Sequence, residues 1–422
     1  MTNRIIRSLL LLAALSAGCG AFAQVDCSGS TKLVCQIPFS TGVFLKSGSK
    51  VEGANTLGAV FNSAIATQVS QLPLASASSG TVIIGAQGQT LDNLGPILTD
   101  RAQTIGKNKV FLAFTASQFY FTDIDGIALN AVPFSYQAVN NGNRGSTYVQ
   151  ENLNVHFKVD QYVVYATFGA TNKLDFSVIL PIERVSIGSA TYGATQYVLD
   201  ANGNLEFKSN PSDTYTPGTA SGLSDITFNA KYLLLSGERS KVAVGLNFRI
   251  PTGDDLNYLG SGSWGTNPYV LFSYLAKTSP HIRLGYQWNT ETELYPNLTL
   301  GHQGTNLALP GGLQYDFGVD RSLTKKLTAA ADLMGNQYTN AQRLVRSELQ
   351  FACTGCGSNP YNAPTVIAAN STYWINDVSA GAKWNPWKQL IFTGNVLFQL
   401  NNVGMRVRPT PLIGVSYKFG FH

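Results

Sequence analysis

Charged side chains are scarce in this chain of 422 residues. Lys and Arg together number 29 and Asp and Glu 24, so charged residues make up 13% of the sequence, against about 25% in an average soluble domain. The net charge of +5 is small and no run of basic residues occurs, which excludes a nucleic-acid partner. No window has the roughly 18 consecutive apolar residues of a membrane-spanning helix, so a helical membrane protein is excluded as well.

Residues that commonly carry catalysis or bind cofactors are few and dispersed. The four histidines are scattered, and neither GxSxG nor HExxH occurs. Residues 260–265 match GxGxxG, but they precede a predicted strand, whereas a dinucleotide site needs a strand before the motif and a helix after it. Residues 200–204 resemble half of a calcium loop, yet Leu205 stands where such a loop requires Gly. We expect no enzyme activity, no cofactor and no metal site.

Glycine, aromatic residues and small polar residues are abundant in place of charged residues. The chain has 41 Gly, 11% aromatic and 44% hydrophobic residues. So many aromatic side chains argue against a disordered chain. These proportions predict a large β-structure with one apolar and one polar face.

The N-terminus has the pattern of an export signal. Two arginines precede the apolar segment 9–15, and residues 21–23 (Ala-Phe-Ala) form a small–x–small cleavage site. We predict a cleavable signal peptide over residues 1–23. The alternative is a lipoprotein signal ending at Cys19, although Ser16 stands where a Leu is usual.

Four cysteines remain after the signal peptide, in two close pairs. Cys27 and Cys35 form one pair, and Cys353 and Cys356 form the other. Each pair closes a short loop in an oxidising compartment, so we predict two local disulfides. The second pair could instead be half of a metal site or a redox motif, but no second such pair and no nearby His accompany it.

Hydrophobicity alternates with a period of two over much of the chain. In residues 242–250, 282–288 and 390–400, apolar residues alternate with small or polar ones. Successive side chains of a strand point to opposite faces, so each segment is a strand with one apolar and one polar face. A soluble sandwich would show the same alternation.

The lengths of the connections decide between these two folds. Strands are predicted near 109–121, 152–169, 172–188, 223–236, 239–252, 267–278, 280–290, 312–322, 325–337, 372–384, 389–401 and 408–421. The links alternate between short turns and long loops, which is typical of outer-membrane barrels. We therefore predict an all-β fold, a transmembrane antiparallel up-and-down β-barrel of about twelve strands in residues 108–422. Its partners would be outer-membrane lipid and, from the alternating aromatic C-terminal strand, the barrel assembly machinery.

Residues 24–107 do not fit the strand pattern. Apolar residues recur at helical spacing until Pro73, and they include Leu57, Phe61, Ile65 and Val69. The other face of this helix is polar but uncharged, which suits the confined lumen of a barrel. We predict a partly helical plug, or hatch, in the lumen, and the alternative is a periplasmic segment packed beneath the barrel.

Several short segments carry a resemblance to a known family. They are residues 222–227 (Gly-Leu-Ser-Asp-Ile-Thr), 230–232 (Ala-Lys-Tyr), 249–254 (Arg-Ile-Pro-Thr-Gly-Asp) and 267–268 (Asn-Pro). In this order they resemble the outer-membrane transporter family of the meta-pathway of phenol degradation, which is similar to the FadL-type fatty-acid transporters. The resemblance covers roughly residues 150–422. It implies a channel in the outer membrane for passive uptake of small hydrophobic or aromatic molecules; the alternative is a structural or surface-binding barrel without transport.

Charged residues on the polar faces of the strands are the candidate site residues. A charge that faces lipid at the midplane costs about 2–4 kcal/mol, so these residues are expected to line the lumen. They are Lys158, Asp175, Glu183, Lys231, Arg249, Arg283, Asp316 and Lys383. Because both signs are present, we expect them to pair and to hold an internal segment rather than to filter ions.

Overall fold

A computed structural model describes most of the chain. It covers residues 30–36, 52–69, 72, 81–84, 90–140, 143–200, 202–210, 214–296, 306–351, 361–387 and 389–420. The predicted signal peptide, Cys27, Cys353, Cys356 and the side chain of Leu57 lie outside the described residues. Strands account for 73% of the structure.

Twelve long antiparallel strands form one continuous wall. They are β1 (Lys109–Ile124), β2 (Asn143–Gly169), β3 (Leu174–Leu199), β4 (Ile226–Ser236), β5 (Ser240–Ile250), β6 (Gly265–Tyr274), β7 (Thr278–Asn289), β8 (Gly312–Thr324), β9 (Leu327–Phe351), β10 (Tyr361–Trp387), β11 (Leu390–Gln399) and β12 (Thr410–Gly420). Each strand predicted from the sequence has its counterpart, so the predicted fold is confirmed.

The wall closes on itself. Each strand pairs with the next, and β12 returns to pair with β1 over Leu412↔Ser117 to Gly420↔Lys109. A closed barrel leaves no row of unpaired backbone groups, which is the condition for crossing a lipid bilayer with strands. Closure therefore rules out the sandwich.

Four strands are much longer than their predicted counterparts. β2 pairs with β3 as far as Thr147↔Val198, and β9 pairs with β10 as far as Phe351↔Tyr361. The alternation in the sequence predicts long loops for much of these extensions. They continue as paired ribbons because a backbone leaving the lipid still needs hydrogen-bond partners, and strand pairing supplies them.

Short elements complete the end of the barrel opposite the tight turns, which is called the loop end below. Strands Ile127–Ala128, Val132–Asn140, Leu205–Ser209, Thr214–Leu223 and Met405–Val407 join the main sheet. At the same end Glu291–Pro296 pairs with Asn306–Ala308. Thr81–Ile84 pairs with Thr90–Asn93 near the opposite end, since the adjacent Leu94 N–H donates to Thr328 Oγ1 next to a tight turn. Single 3₁₀ turns occupy Leu33–Cys35 and Asp255–Asn257.

The outer face carries an exposed apolar band with aromatic residues at both rims. Trp264 and Trp288 lie at the loop end, and Trp384 and Trp387 at the end with the tight turns; Trp387 is 65% exposed. Such girdles are typical of membrane barrels. Tyr269 is 5% exposed, because it lies on the inward parity of β6.

One helix, α1 (Glu52–Val69), lies inside this wall. Phe61 and Ile65 are buried in one cluster with the strand residues Phe119 and Phe157. No helix among the described residues is long and apolar enough to cross a membrane. The interior of the barrel is thus occupied by α1 and by the irregular segment that precedes β1.

Candidate functional site

An irregular segment, residues 93–105, crosses the lumen and is called the latch segment below. Its backbone N–H groups donate to inward side chains of the wall. The pairs are Leu94 to Thr328 Oγ1 (3.0 Å), Leu98 to Asp332 Oδ2 (3.1 Å), Ala102 to Ser273 Oγ (2.9 Å) and Ile105 to Asp175 Oδ2 (2.9 Å). A buried segment without secondary structure must have its polar backbone satisfied in this way. The polar inner face of the barrel is therefore fitted to this segment.

The strongest anchor of the latch segment is a buried ion pair. The Arg101 guanidinium donates from Nε to Asp320 Oδ1 (3.0 Å) and from its terminal nitrogen to Asp320 Oδ2. The two side chains are 1% and 0% exposed. Bidentate pairing in a dry environment is the geometry in which such a bond is strongest, and removal of one partner leaves a charge buried.

A lysine of the wall holds the neighbouring residue. Lys231 Nζ donates to Asp100 Oδ2 (3.1 Å) and to the carbonyl oxygen of Arg101 (3.1 Å). Asp175, which accepts from Ile105, lies directly across from Lys231 on the adjacent strand. Opposite charges on the segment and on the wall thus neutralise each other inside the lumen.

His281 forms a third anchor with Thr99. Thr99 Oγ1 donates to Asp332 Oδ1 (2.7 Å) and lies 2.5 Å from His281 Nε2. The His281 ring faces Gly318 on β8, and a Cβ at Gly318 would overlap the ring and also meet Thr99. Glycine at this position leaves the space in which the ring and the latch segment meet.

All but one of the predicted lumen-lining charges face inward. Asp175, Glu183, Lys231, Arg249 and Lys383 are buried. Arg283 and Asp316 pair with each other at 3.1 Å. Of these residues, Asp175 and Lys231 contact the latch segment directly, while Glu183 accepts from Gln161 at 3.0 Å.

Lys158 faces outward, so its placement in the lumen is wrong. It pairs with Asp160 at 3.0 Å, and its side chain is 34% exposed. It shares the outer face of β2 with Tyr162 and Phe168, whereas Phe157 and Val159 are buried. The cost of a lipid-facing charge does not apply here, because Lys158 lies beyond the apolar band, on the part of β2 that extends toward the loop end.

Besides Thr328 and Ser273, three ionisable wall residues that hold the latch segment were missed from the sequence. Asp320, Asp332 and His281 lie on the inward parity of β8, β9 and β7. Asp320 is four residues after Asp316 on one strand, so the same alternation that selected Asp316 also selects it. The latch segment itself has no periodic signal.

The helix α1 lies near the loop end of the lumen. Phe61, Ile65 and Val69 are buried as expected for a side that packs on the wall. The opposite side does not line an open path: Ser63 and Thr67 are buried too, and Asn62 Nδ2 donates to the carbonyl oxygen of Val34 (3.1 Å). The buried residues of α1 therefore fill this part of the lumen.

The segments that carry the family resemblance fasten the loop end. Asp225 accepts from the backbone N–H groups of Gly253 (3.2 Å) and Ser261 (2.8 Å) and lies 3.7 Å from Arg249. Thr252 Oγ1 donates to the carbonyl oxygen of Ser224 (2.9 Å). These residues hold the loop after β5 and are architectural.

The same loop binds the N-terminal residues. Lys32 Nζ donates to Asp254 Oδ2 (2.6 Å), and the Leu33 N–H donates to Asn257 Oδ1 (3.1 Å). Partial burial disfavours the charged form of Asp254, but hydrogen bonds from Lys32 and Asn257 hold the pKa of this carboxyl below its ordinary value. Cys35 is buried nearby.

Among the described residues, two small cavities lie beside α1 and the latch segment, both along the wall of β1, β10 and β11. The upper cavity, near the loop end, has a volume of about 40 Å³ and is lined by Gln68, Phe119, Asp377, Leu397 and Met405, among others. The lower cavity, near the tight turns, has about 20 Å³ and is lined by residues that include Ile97, Phe111, Lys383 and Thr393. Their lining is largely apolar.

The closed wall and the exposed apolar band define an outer-membrane-type β-barrel, and its interior holds α1 and the latch segment. Residues 134–342 match the model of the family described as the MetA-pathway of phenol degradation. The family resemblance found in the sequence is thereby confirmed.

Solved structures of outer-membrane proteins are similar to this chain at low identity. An outer membrane channel from Pseudomonas putida F1 is 10% identical over 75% of this chain and 98% of that one, with a TM-score of 0.46. A FadL homologue from Pseudomonas aeruginosa is 9% identical (75% and 91% covered, TM-score 0.31). The Ralstonia pickettii toluene transporter TbuX is 8% identical (75% and 90% covered, TM-score 0.25). No curated protein matches the chain significantly.

Proposed function

We propose that this protein is an outer-membrane channel for passive uptake of small hydrophobic or aromatic molecules. The observation that carries the proposal is the lumen: a closed barrel whose interior holds α1 and the latch segment, with small, largely apolar cavities along the wall of β1, β10 and β11. The family match over residues 134–342 agrees with such a role.

The electrostatics of the lumen argue against a general porin. A water-filled pore would leave its charges hydrated, but Arg101, Asp320 and Lys231 are buried and paired with groups inside the barrel. The charged residues of the wall thus pair with residues of the plug and hold it. A narrow, largely dry passage favours apolar solutes over ions and sugars, and the proposal involves no catalytic step, cofactor or metal.

The proposal includes the division of the chain and its export. Residues 1–23 would be a cleaved signal peptide, residues 24–107 the plug and residues 108–422 the barrel, inserted by the barrel assembly machinery. The contacts of the latch segment with β3, β4, β6, β8 and β9 support the assignment of the plug to the lumen. Local disulfides Cys27–Cys35 and Cys353–Cys356 are also proposed; peptide mapping without reduction tests them, and free thiols at these positions would refute them.

A surface-binding barrel without transport is the second candidate. The paired ribbons of β2 with β3 and of β9 with β10 extend the wall well beyond its predicted strands and present a large structured surface at the loop end. A barrel that only displays this surface needs no passage through its lumen. Transport measurements therefore separate the two candidates.

We expect intact cells that produce the protein to take up p-xylene and p-cresol faster than cells of the same strain that lack it. Their lipopolysaccharide layer slows the direct entry of apolar solutes, so initial uptake of the labelled compounds reports passage through the channel. The matched control is a variant with a cysteine pair, Ala102→Cys and Ser273→Cys, that locks the latch segment to the wall. In the native protein the Ala102 N–H lies 2.9 Å from Ser273 Oγ.

The same cells show whether the barrel is in place. The protein should fractionate with the outer membrane and migrate faster on gels before boiling, because a closed barrel resists detergent. Correctly inserted protein that leaves uptake at the level of the control strain would favour the surface-binding candidate.

A further inference from the structure

The two cavities lie one above the other on the same strands. On β11, Thr393 lines the lower cavity and Leu397 and Gln399 line the upper one. On β1, residues 111–115 line the lower cavity and Phe119 and Phe121 the upper one. At roughly 3.3 Å per residue, the four residues from Thr393 to Leu397 span about 13 Å. The cavities are thus two parts of one discontinuous path.

Asn395 stands between them on β11. Its side chain faces inward and is 5% exposed. Its neighbours at the same level are Gly381 on β10, which has no side chain, and Leu412 on β12. Leu412 packs with Ile97 of the latch segment. Asn395 is therefore the polar side chain of β11 in the narrow section between the two cavities.

The amide of Asn395 is buried without a partner. Neither its Nδ2 nor its Oδ1 has a hydrogen-bond partner within the described part of the chain. Gln68 Nε2, on the wall of the upper cavity, also lacks a partner there. A buried amide that forms no hydrogen bond is destabilising. A hydrogen bond with a passing solute, as donor or acceptor, recovers part of that free energy.

Two inward asparagines elsewhere on the wall are engaged. On β5, which is diametrically opposite β11 in a ring of twelve, Asn247 Oδ1 accepts from Asn229 at 2.6 Å. Asn267 on β6 accepts from Arg283 at 2.7 Å and donates to Gln314 at 2.7 Å. Asn395 differs from both, because neither end of its amide has a partner within the described residues.

We infer that solutes pass along the wall of β1, β10, β11 and β12, and that Asn395 selects those with one hydrogen-bonding group on an apolar body. The apolar part of such a solute fits the cavity walls of Phe119, Leu397, Phe111 and Ile97. Its hydroxyl can both donate to and accept from the Asn395 amide during passage. This inference rests on the proposed function and adds a route and a specificity-determining residue to it.

The test compares p-cresol with p-xylene, which differ in one hydroxyl in place of a methyl group. We expect Asn395→Leu to lower the ratio of p-cresol to p-xylene uptake by about fivefold, equivalent to about 1 kcal/mol for one neutral hydrogen bond. Asn247→Leu is the control, since it replaces an inward asparagine on the opposite wall and should leave the ratio unchanged. Heat-modifiable migration identifies variants that are folded.

A second variant tests the route itself. Thr393→Phe fills the lower cavity and is expected to lower the uptake of both solutes. The inference is overturned if Asn395→Leu leaves the ratio at its wild-type value or if Asn247→Leu lowers it equally. It is also overturned if folded Thr393→Phe takes up both solutes normally. Absence of uptake by the unmodified protein would instead refute the proposed function.

Discussion

Deletion of residues 24–105 is expected to turn a nearly silent barrel into a pore with steady ion conductance. The strands should still close, because barrel pairing runs between neighbouring strands and β12 pairs with β1 without the plug. Asp320, Asp332 and Lys231 would then face water and become hydrated. The deletion has to include Arg101 and Ile105, since both bind the wall.

Planar-bilayer recordings of the full-length and deleted proteins measure this effect. The deleted protein should also retain heat-modifiable migration, which shows that its barrel is closed. Equal conductance of the two forms would mean that residues 24–105 do not occlude the lumen. The sequence alone left a periplasmic position open for this segment, and that outcome would favour it.

Arg101→Ala is expected to release the latch segment while leaving the barrel closed. Loss of the guanidinium leaves the Asp320 carboxylate buried without its partner, which costs about 3–5 kcal/mol. The energy is lost locally, because the strands pair independently of the latch segment. Amide exchange at Leu98, Ala102 and Ile105, whose N–H groups bind the wall, should accelerate by about a hundredfold to a few thousandfold.

Two further variants separate the ion pair from other effects of the substitution. Arg321→Ala removes an exposed arginine from the residue after Asp320 and should not change exchange in the latch segment. The double variant Arg101→Met with Asp320→Leu removes both charges and should restore much of the protection, since replacing a whole buried pair by apolar residues is often neutral. Exchange in Arg101→Ala at the rate of Arg321→Ala would show that the pair does not hold the segment.

The strands could be predicted because each has one face toward lipid and the other toward the lumen. Residues such as Leu246 and Arg249 on β5 are sorted by a strict period of two, which survives in the sequence as alternation. The ribbons of β2, β3, β9 and β10 were underestimated, because outside the lipid both faces meet water or protein and the alternation fades.

The candidate site was predicted only on the wall side. Alternation places Asp175, Lys231 and Arg283 on the inner face; Asp175 and Lys231 are buried, and Arg283 pairs with Asp316 at 3.1 Å. It failed for Lys158, where a charge on the outer face is tolerated beyond the apolar band. The partners in residues 93–105 are irregular, so their contacts with Asp320 and Asp332 arise from tertiary placement and leave no local pattern.

The occupied lumen is tested most directly by cross-linking the latch segment to the wall in the outer membrane. Ala102 and Ser273 are both completely buried, and the Ala102 N–H lies 2.9 Å from Ser273 Oγ. A protein with Ala102→Cys and Ser273→Cys should form this cross-link on mild oxidation, as identified by peptide mass. The control pairs Ala102→Cys with Val270→Cys, which is 51% exposed on the outer face of the same strand, and should form none. Failure of the first pair to cross-link, or equal cross-linking of both, would contradict a plug held inside the barrel.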